Sequence, residues 1–357
     1  MELTNLAVHH VRRIVNAQLH AVGMSNVVCG ANGSGKTSLL ESIHYLATAR
    51  SFRTSRAREV ITRGSDSLVV TGVLVDGSGR EYRIGVEKTN SSTRLKLNGE
   101  NLTVASAVAR LMPVLTFNTE SHLLLDGGPS NRRALIDRLL FHVEPRYLDV
   151  LKTYHRALKQ RNSLLRRRAP IQQTVAFEHQ LSEAACELDT WRKACVEKVN
   201  EFLDDSPLCR GIGELTLEYR RGWPEGETLL QSLEHSRPRD YDNGNTSSGP
   251  HRAELRIRID GNTAKSIVSR GQGKLIISAI ISAQAHYLGQ FAAEKPILLI
   301  DDLASELDRD ARQRAVDSLL ATKAQCFFTA IEATDLPPEL IGASRLFHVE
   351  HGVLSAA

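Results

Sequence analysis

The chain has 357 residues, of which 41% are hydrophobic and 24% charged, with a formal net charge of +4. This is a globular composition, long enough for two domains or one domain carrying an insertion, and its mildly basic balance permits a polyanionic partner without requiring one. No run approaches the roughly 18 apolar residues of a membrane span, no signal-peptide core is present, and five cysteines without a C-x-x-C pair predict reduced thiols; a soluble cytoplasmic protein with no membrane partner is expected.

Residues 1–49 predict strand, turn, strand, glycine-rich loop and helix. Leu3, Leu6 and Val8 alternate, and Asn26 to Cys29 form a short run that breaks into Gly30, Ala31, Asn32, Gly33, Ser34, Gly35, Lys36, Thr37 and Ser38. This fits G-x-x-x-x-G-K-[ST], the phosphate-binding P-loop. Main-chain N–H groups must wrap a phosphate chain at close range, and Gly30, Gly33 and Gly35 keep that backbone bare. Lys36 supplies a mobile cation for the β- and γ-phosphates and Thr37 a hydroxyl for Mg2+. The helix predicted by Leu39, Leu40, Ile43 and Leu46 adds its positive end. A chance match in a chain of this length has a probability on the order of 1%, so a nucleotide site is expected here.

After a basic link containing Arg53, Arg56 and Arg58, the hydrophobic period changes to two. Leu68 to Val75, Tyr82 to Glu87 and Thr93 to Leu97 predict an antiparallel meander, separated by Asp76-Gly77-Ser78-Gly79, Asn90-Ser91-Ser92 and Asn98-Gly99. A short strand, Val114 to Phe117, follows. From Asp126 to about Asp204 the pattern is helical: Phe177, Leu181, Ala184, Leu188, Trp191, Cys195, Val199 and Phe202 recur at spacings of three and four. A partner stripe, Tyr147, Leu151, Tyr154, Leu158 and Leu165, precedes it across Arg166-Arg167-Arg168-Ala169-Pro170. Either an arm of two antiparallel helices with a basic tip, the longer some 27 residues and about 40 Å, or an ordinary helical bundle accounts for this. Strands return at Glu214 to Tyr219 and Ala253 to Ile259, with Ser236 to Ser248 between them as a polar loop. The last hundred residues close an α/β core.

A P-loop alone does not choose among kinases, GTPases, helicases and ABC-type ATPases. Pro296-Ile297-Leu298-Leu299-Ile300-Asp301-Asp302 predicts a buried strand ending in two carboxylates, a Walker B pattern. Asp301 can hold Mg2+ together with Thr37, and Asp302 can orient water for in-line attack, so Lys36, Asp301 and Asp302 are the candidate catalytic residues. Some 30 residues earlier, Val268-Ser269-Arg270-Gly271-Gln272 opens a helix and resembles the ABC signature, in which Ser269, Gly271 and Gln272 bind the γ-phosphate of ATP held on another subunit. Ala304-Ser305-Glu306-Leu307-Asp308 follows as a D-loop.

With these motifs, together with Gly127-Gly128-Pro129, Arg132-Arg133, Asp137 and Ser248-Gly249-Pro250-His251-Arg252, the chain resembles the RecF family of small, SMC-like ABC ATPases over nearly its whole length. The resemblance implies an α/β fold, an ABC/SMC-type P-loop ATPase head with an antiparallel β subdomain and a helical arm-like insertion. Its parts would be 1–120 (P-loop and β subdomain), 121–210 (helical insertion) and 211–357 (signature, Walker B and D-loop). It further implies ATP and Mg2+ as cofactors, an ATP-dependent homodimer, and sequence-independent binding of double-stranded DNA and single-strand gaps at the nucleoid. RecR and RecO are the implied partners in loading RecA during recombinational repair, replication and the SOS response. Departures from the family pattern are Thr119-Glu120, which leave Asn118 or Glu120 for the Gln-loop role, and Gly273, costing about 1 kcal/mol of helix propensity. The strand Gln325 to Ile331 ends without a histidine switch, with Thr329 as a weak substitute. Asp302, one methylene shorter than the usual Glu, predicts slow hydrolysis; the resemblance implies a slow, DNA-stimulated ATPase used as a dimerisation switch. A transport ATPase subunit would need that histidine and a membrane partner. An overcoming-lysogenization-type nuclease would need an appended acidic metal-binding domain.

Overall fold

The computed structural model describes residues 1–210, 212–305 and 307–356; Glu306 of the D-loop run and Gly211 at the expected 210/211 boundary lie outside the described residues. Two compact units result, one from Met1–His122, Ser206–Arg210 and Ser269–Ala357, the other from Leu123–Asp205 and Gly211–Val268. Residues 212–268, grouped by sequence with the C-terminal ATPase part, thus pack with the helices that precede them. Their strands carry apolar faces that bury against those helices. Among the described residues no helix is long and apolar enough to cross a membrane.

The first unit holds two sheets. One is ordered Val353–Ala356, Arg345–Glu350, Ser25–Cys29, Gln325–Ala330, Ile297–Ile300, Val114–Phe117, and all its strands but the first-named are parallel. Its central strands are buried on both faces, which is why Ile297–Ile300 reads as an unbroken apolar run. The other sheet is antiparallel, ordered Ile14–Leu19, Glu2–Val11, Ser67–Val75, Glu81–Thr89, Thr93–Leu97, Glu100–Leu102. Asn98 and Gly99, with φ of 51° and 90°, make a two-residue turn in it. Two of its strands escaped the sequence reading: Ile14–Leu19 alternates irregularly, and Glu100–Leu102 is only three residues long.

Helix Lys36–Thr48 packs against both sheets, so Leu39, Leu40, Ile43 and Leu46 share one core with Leu3 and Val70 of the antiparallel sheet and Val28 and Phe327 of the parallel one. Burial nearly all round forces its one acid, Glu41, to be paired. Arg12 donates to Glu41 at 2.5 and 2.8 Å, and the Ser51 hydroxyl donates to it as well.

The second unit contains helices Pro129–Val143, Tyr147–Arg166, Ile171–Asp204 and Leu229–Asn243 and a three-stranded sheet, Asn262–Thr263, Glu254–Ile259, Leu215–Arg220. The long helix has 34 residues, about 51 Å at 1.5 Å per residue. It packs against the other three helices and against Leu215–Arg220, as a bundle rather than a bare two-helix arm. Arg166, Arg167 and Arg168 stand exposed at the turn between the paired helices.

Two features depart from the sequence reading. Residues 236–243 are the end of helix Leu229–Asn243 rather than a loop. Thr228 and Gln231 form a capping box that starts this helix, Leu229 and Leu233 bury its apolar side, and Gly244 in the left-handed region stops it. Pro238 and Glu234 lie on its exposed side, where the bond a proline cannot donate costs least. Buried charge also interrupts the apolar stripes: Arg161, Glu178 and Asp240 are all 0% exposed. Arg161 donates to Glu178 at 3.0 and 3.1 Å, to Asp240 at 2.8 Å and to Thr246 at 2.8 Å, while Arg237 donates to Glu178 at 2.7 Å. Burial pushes the Glu178 carboxyl up, but the hydrogen bond from Arg237 and the charge of Arg161 outweigh it, holding its pKa below the ordinary value.

Removing one partner of such a cluster leaves the others charged and dry, so Arg161→Met should cost about 3–5 kcal/mol in urea or guanidinium unfolding. The Glu178 contribution is present above the ordinary carboxylate range and is lost as pH falls through the depressed folded value. Unfolding free energies of Arg161→Met within about 1 kcal/mol of wild type would show that the cluster contributes nothing net.

Candidate nucleotide-binding site

The parallel register brings four strand ends to one edge of the sheet. Val28 pairs with Thr329, Ile300 pairs with both Phe328 and Phe117, and so the P-loop, Asp301, Thr329 and Asn118 emerge side by side. Ligands of open α/β sheets gather at this carboxyl edge.

Gly30, Gly33 and Gly35 have φ of 153°, 76° and 127°, and a Cβ on Gly30 would strike the Val349 carbonyl. The loop is therefore bare because its conformation and packing admit nothing larger. It is also held from outside. Gly30 N–H donates to Ile331 O at 3.1 Å, Gly352 N–H to Ser34 O at 2.8 Å, and Arg13 to Gly33 O at 2.5 Å. The sequence reading missed these supports, since Arg13 and the terminal hairpin carry no motif. Ala31 and Asn32 are exposed, and the Ser38 carbonyl accepts from Ser42 at 2.8 Å.

Lys36, only 9% exposed, donates to Gly30 O at 2.6 Å and Ala31 O at 3.1 Å. Burial pulls its pKa down, against the charges of Asp301 and Asp302. The Ser34 hydroxyl is buried with no hydrogen-bond partner among the described residues. A cradle of bare amides, a half-desolvated ammonium and an orphaned hydroxyl fits a phosphate chain.

Asp301 follows the Walker B strand and is 7% exposed. Thr37 Oγ1 donates to its Oδ2 at 2.9 Å, and Thr329 Oγ1 donates to its Oδ1 at 2.8 Å. Burial raises its pKa, and the two hydroxyls oppose that rise. Two oxygens from different elements, Thr37 Oγ1 and the Asp301 carboxylate, thus adjoin the P-loop, a donor set suited to a hard cation that keeps its remaining positions for phosphate and water. Asp302 is exposed and left-handed, with φ of 53°. Its N–H donates to Thr329 Oγ1 at 2.9 Å. Thr329, read from sequence as a stand-in for a histidine, is the single hydroxyl that positions both acids.

Ser269 caps helix Arg270–Phe291. Gln272 N–H donates to Ser269 Oγ at 3.3 Å, and Gln272 Oε1 accepts from Ser269 N–H at 3.0 Å. Both are exposed and Gly271 is half-buried; their side-chain hydrogen bonds are to each other, with none to the P-loop among the described residues. Gly273 is buried in the first turn of this helix. Lys274 joins this helix to the D-loop, donating to Ser305 Oγ at 2.6 Å and Ser305 O at 2.8 Å. Asp308 caps the next helix by accepting from Ala311 N–H at 2.7 Å. Asn118 Oδ1 accepts from Glu120 N–H at 2.9 Å, directly after Phe117, whose carbonyl accepts from Asp301 N–H at 2.8 Å.

Known proteins resemble this chain in sequence and in fold. A sequence model of the RecF/RecN/SMC N terminal domain matches residues 2–352. The DNA replication and repair protein RecF of Thioalkalivibrio sulfidiphilus is 39% identical over 359 residues, covering 99% of each chain, and that of Cellvibrio japonicus is 36% identical over 367 residues, again covering 99% of each. Among solved structures, the recombination mediator protein RecF with ATP, in the RecFOR pathway, superimposes with a TM-score of 0.88 at 24% identity, covering 99% of this chain and 97% of that one. The Smc head domain of Pyrococcus furiosus, bound to the C-terminal domain of ScpA, gives 0.61 at 14% identity, covering 99% and 95%. The fold is that of the ABC/SMC ATPase head.

The raised pKa of Asp301 has a stability consequence with a definite sign. Its ionised form is disfavoured in the folded state, so it costs stability increasingly as pH rises from the ordinary carboxylate range through the raised folded value. Asp301→Asn removes that cost. Thermal unfolding between pH 4 and 8 should show the variant gaining on wild type with rising pH and at least as stable at neutrality. A variant less stable at every pH would mean that the Thr37 and Thr329 hydrogen bonds outweigh desolvation.

Proposed function

Because the chain belongs to the RecF family of DNA replication and repair proteins, we propose that it is an ATP-dependent recombination mediator that binds DNA as a homodimer closed by ATP, in the cytoplasm at the nucleoid. The observation that carries this reading is the contact between Thr37 and Asp301 beside a bare phosphate cradle, in the unit whose signature serine stands exposed. ATP, RecO and RecR come to this chain through its likeness to the solved RecF of the RecFOR pathway. Single-strand gaps, double-stranded DNA, RecA loading and the SOS response rest on family membership.

Mg2+–ATP, when bound, supplies the transferable γ-phosphoryl group and neutralises its charge. The N–H groups of residues 30–38 orient the phosphates, and Lys36 leaves the carbonyls of Gly30 and Ala31 for the β- and γ-oxygens. Thr37 and Asp301 would hold the metal. Asp302, released from the strand by its left-handed turn, orients the attacking water. Ser269, Gly271 and Gln272 offer a helix N-terminus to the nucleotide of a second subunit, so binding closes the dimer and slow hydrolysis opens it. Asn118, next to the Phe117 carbonyl that accepts from Asp301, suits the Gln-loop role better than the exposed Glu120.

Lys36→Ala should abolish nucleotide binding. Ser269→Arg should keep it while preventing ATP-induced association in sedimentation or light scattering, and unimpaired dimerisation of Ser269→Arg would refute the composite site. Asp302→Asn should bind ATP normally and stay dimeric with turnover reduced at least about tenfold, a barrier change of roughly 1.4 kcal/mol. Wild-type turnover in that variant would remove Asp302 from the mechanism.

DNA binding should be electrostatic and indifferent to sequence. Arg53, Arg56 and Arg58 are all exposed. Log affinity should fall with log salt by about 0.9 per phosphate contact, and replacing the three arginines by alanine should flatten that slope equally for every sequence. An unchanged slope would leave these arginines merely solvated.

A further inference from the structure

A cavity of about 580 Å3 opens at the far end of the P-loop helix, lined by Tyr45 and Ala49, by residues 50–55 and 57, and by Lys88 and Thr93 of the antiparallel sheet. Tyr45 lies nine residues beyond Lys36, roughly 14 Å along the helix, so this space is separate from the phosphate cradle. Its size is that of a small-molecule site. Its chemistry is one-sided: Arg50, Arg53 and Lys88 line it and no Asp or Glu does. The guanidinium groups of Arg50 and Arg53 have no hydrogen-bond or ion-pair partner among the described residues, whereas Lys88 donates to Thr93 at 2.8 Å. Phe52 supplies an apolar wall, held edge-on to His44 with ring centroids 5.4 Å apart, and Ala57 and Val60 continue that wall.

The second observation is Tyr45. Its side chain is 97% removed from solvent, being only 3% exposed. Yet its hydroxyl has no hydrogen-bond partner among the described residues, and burial together with the Glu41 charge pushes its pKa up to about 12. The hydroxyl is not among the fully buried unpartnered polar atoms, so it stays open to the cavity that Tyr45 lines and is free to bond a ligand there. The loop beside it is pre-ordered: Ser51 Oγ, which donates to Glu41, accepts from the N–H groups of Arg53 at 2.9 Å and Thr54 at 3.1 Å. The cations are therefore carried on a fixed turn.

We infer that this cavity binds a nucleoside phosphate, its base against Phe52, Ala57 and Val60, its polar edge on the Tyr45 hydroxyl and its phosphate on Arg50 and Arg53. A bare phosphate would leave the apolar wall and the phenol unused, and an apolar ligand would leave the guanidinium groups of Arg50 and Arg53 unused. The nucleotide is either an unpaired one in a DNA strand or a free mononucleotide. Only the first source rests on the DNA-binding function proposed above.

The probe is 2-aminopurine, whose emission reports the surroundings of a single base. Full-length protein carrying Lys36→Ala, which keeps nucleotide from the P-loop, is titrated with three ligands: a gapped duplex bearing 2-aminopurine in the gap, the same strand fully paired, and 2-aminopurine riboside monophosphate. Overall DNA binding is followed separately by anisotropy of an end-labelled gapped duplex. A signal with gapped but not paired DNA assigns the site to an unpaired nucleotide of a strand, and a signal with the monophosphate alone assigns it to a free nucleotide. In either case Tyr45→Phe, which keeps the ring, should weaken the response roughly three- to tenfold. Arg50→Glu, at an exposed position that leaves folding intact, should weaken it at least about tenfold. No response from any probe, or responses indifferent to both variants, overturns the site even if anisotropy shows DNA bound. Absent anisotropy with a surviving monophosphate signal overturns the proposed function and leaves the cavity assignment standing.

Discussion

Asp301 is a carboxylate in the core of the first unit, and the hydroxyls that make its burial tolerable come from two neighbours in space that are far apart in sequence. Thr37 reaches it from the start of the P-loop helix, 264 residues earlier, and Thr329 from the next strand of the sheet. A buried carboxylate without such donors would be costly. Its position therefore ties together the P-loop helix, the Walker B strand and its neighbour. Thr329 extends the tie to Asp302 by accepting from its N–H, so one side chain sets the spacing of both acids. The likeness to solved RecF and Smc heads is a likeness in this framework of strands and helix.

The same rule governs polar groups elsewhere in that unit. Glu41 sits in the middle of a helix buried against two sheets, and it is tolerated because Arg12 and Ser51 satisfy it. Arg12 neighbours Arg13, which holds the Gly33 carbonyl of the P-loop. A polar path thus runs from the loop after the P-loop helix, through Glu41, to the Arg12–Arg13 turn that braces the phosphate cradle. The bonds to Glu41 join partly buried groups, where charge-assisted hydrogen bonds are strong, while the Arg13 bond to Gly33 lies at the surface.

In the second unit, ionic burial organises helices rather than a site. Arg161 joins Glu178 of the long helix to Asp240 of helix Leu229–Asn243 and to Thr246 beyond it. His251 is fixed nearby: Tyr154 donates to its Nδ1 at 2.6 Å, which leaves Nε2 to donate to the Thr246 carbonyl at 3.0 Å. Burial pulls its pKa down to about 4, so it stays neutral near pH 7. The Ser248–Arg252 run, noticed in the sequence only as a family mark, is thus locked onto the helices.

The sequence alone determined what local chemistry can specify. The glycine spacing of residues 30–35, the unbroken apolar strand before Asp301, the capped helix start at Ser269 and the period-two meander each announce their conformation, because each depends on backbone sterics or on burial of one stretch. Tertiary structure decided what depends on partners distant along the chain. The end of helix Leu229–Asn243, from Ser236 on, read as a polar loop because Asp240 and Arg237 look like solvent-facing residues until Arg161 and Glu178 meet them. Thr329 looked like a weak substitute for a histidine until the parallel register set it between two acids. The supports of the P-loop, Arg13 and Gly352, and the open phenol of Tyr45 carry no motif at all. A hydrogen bond across hundreds of residues leaves no periodic trace in the sequence, and only the closed sheets bring its two ends together.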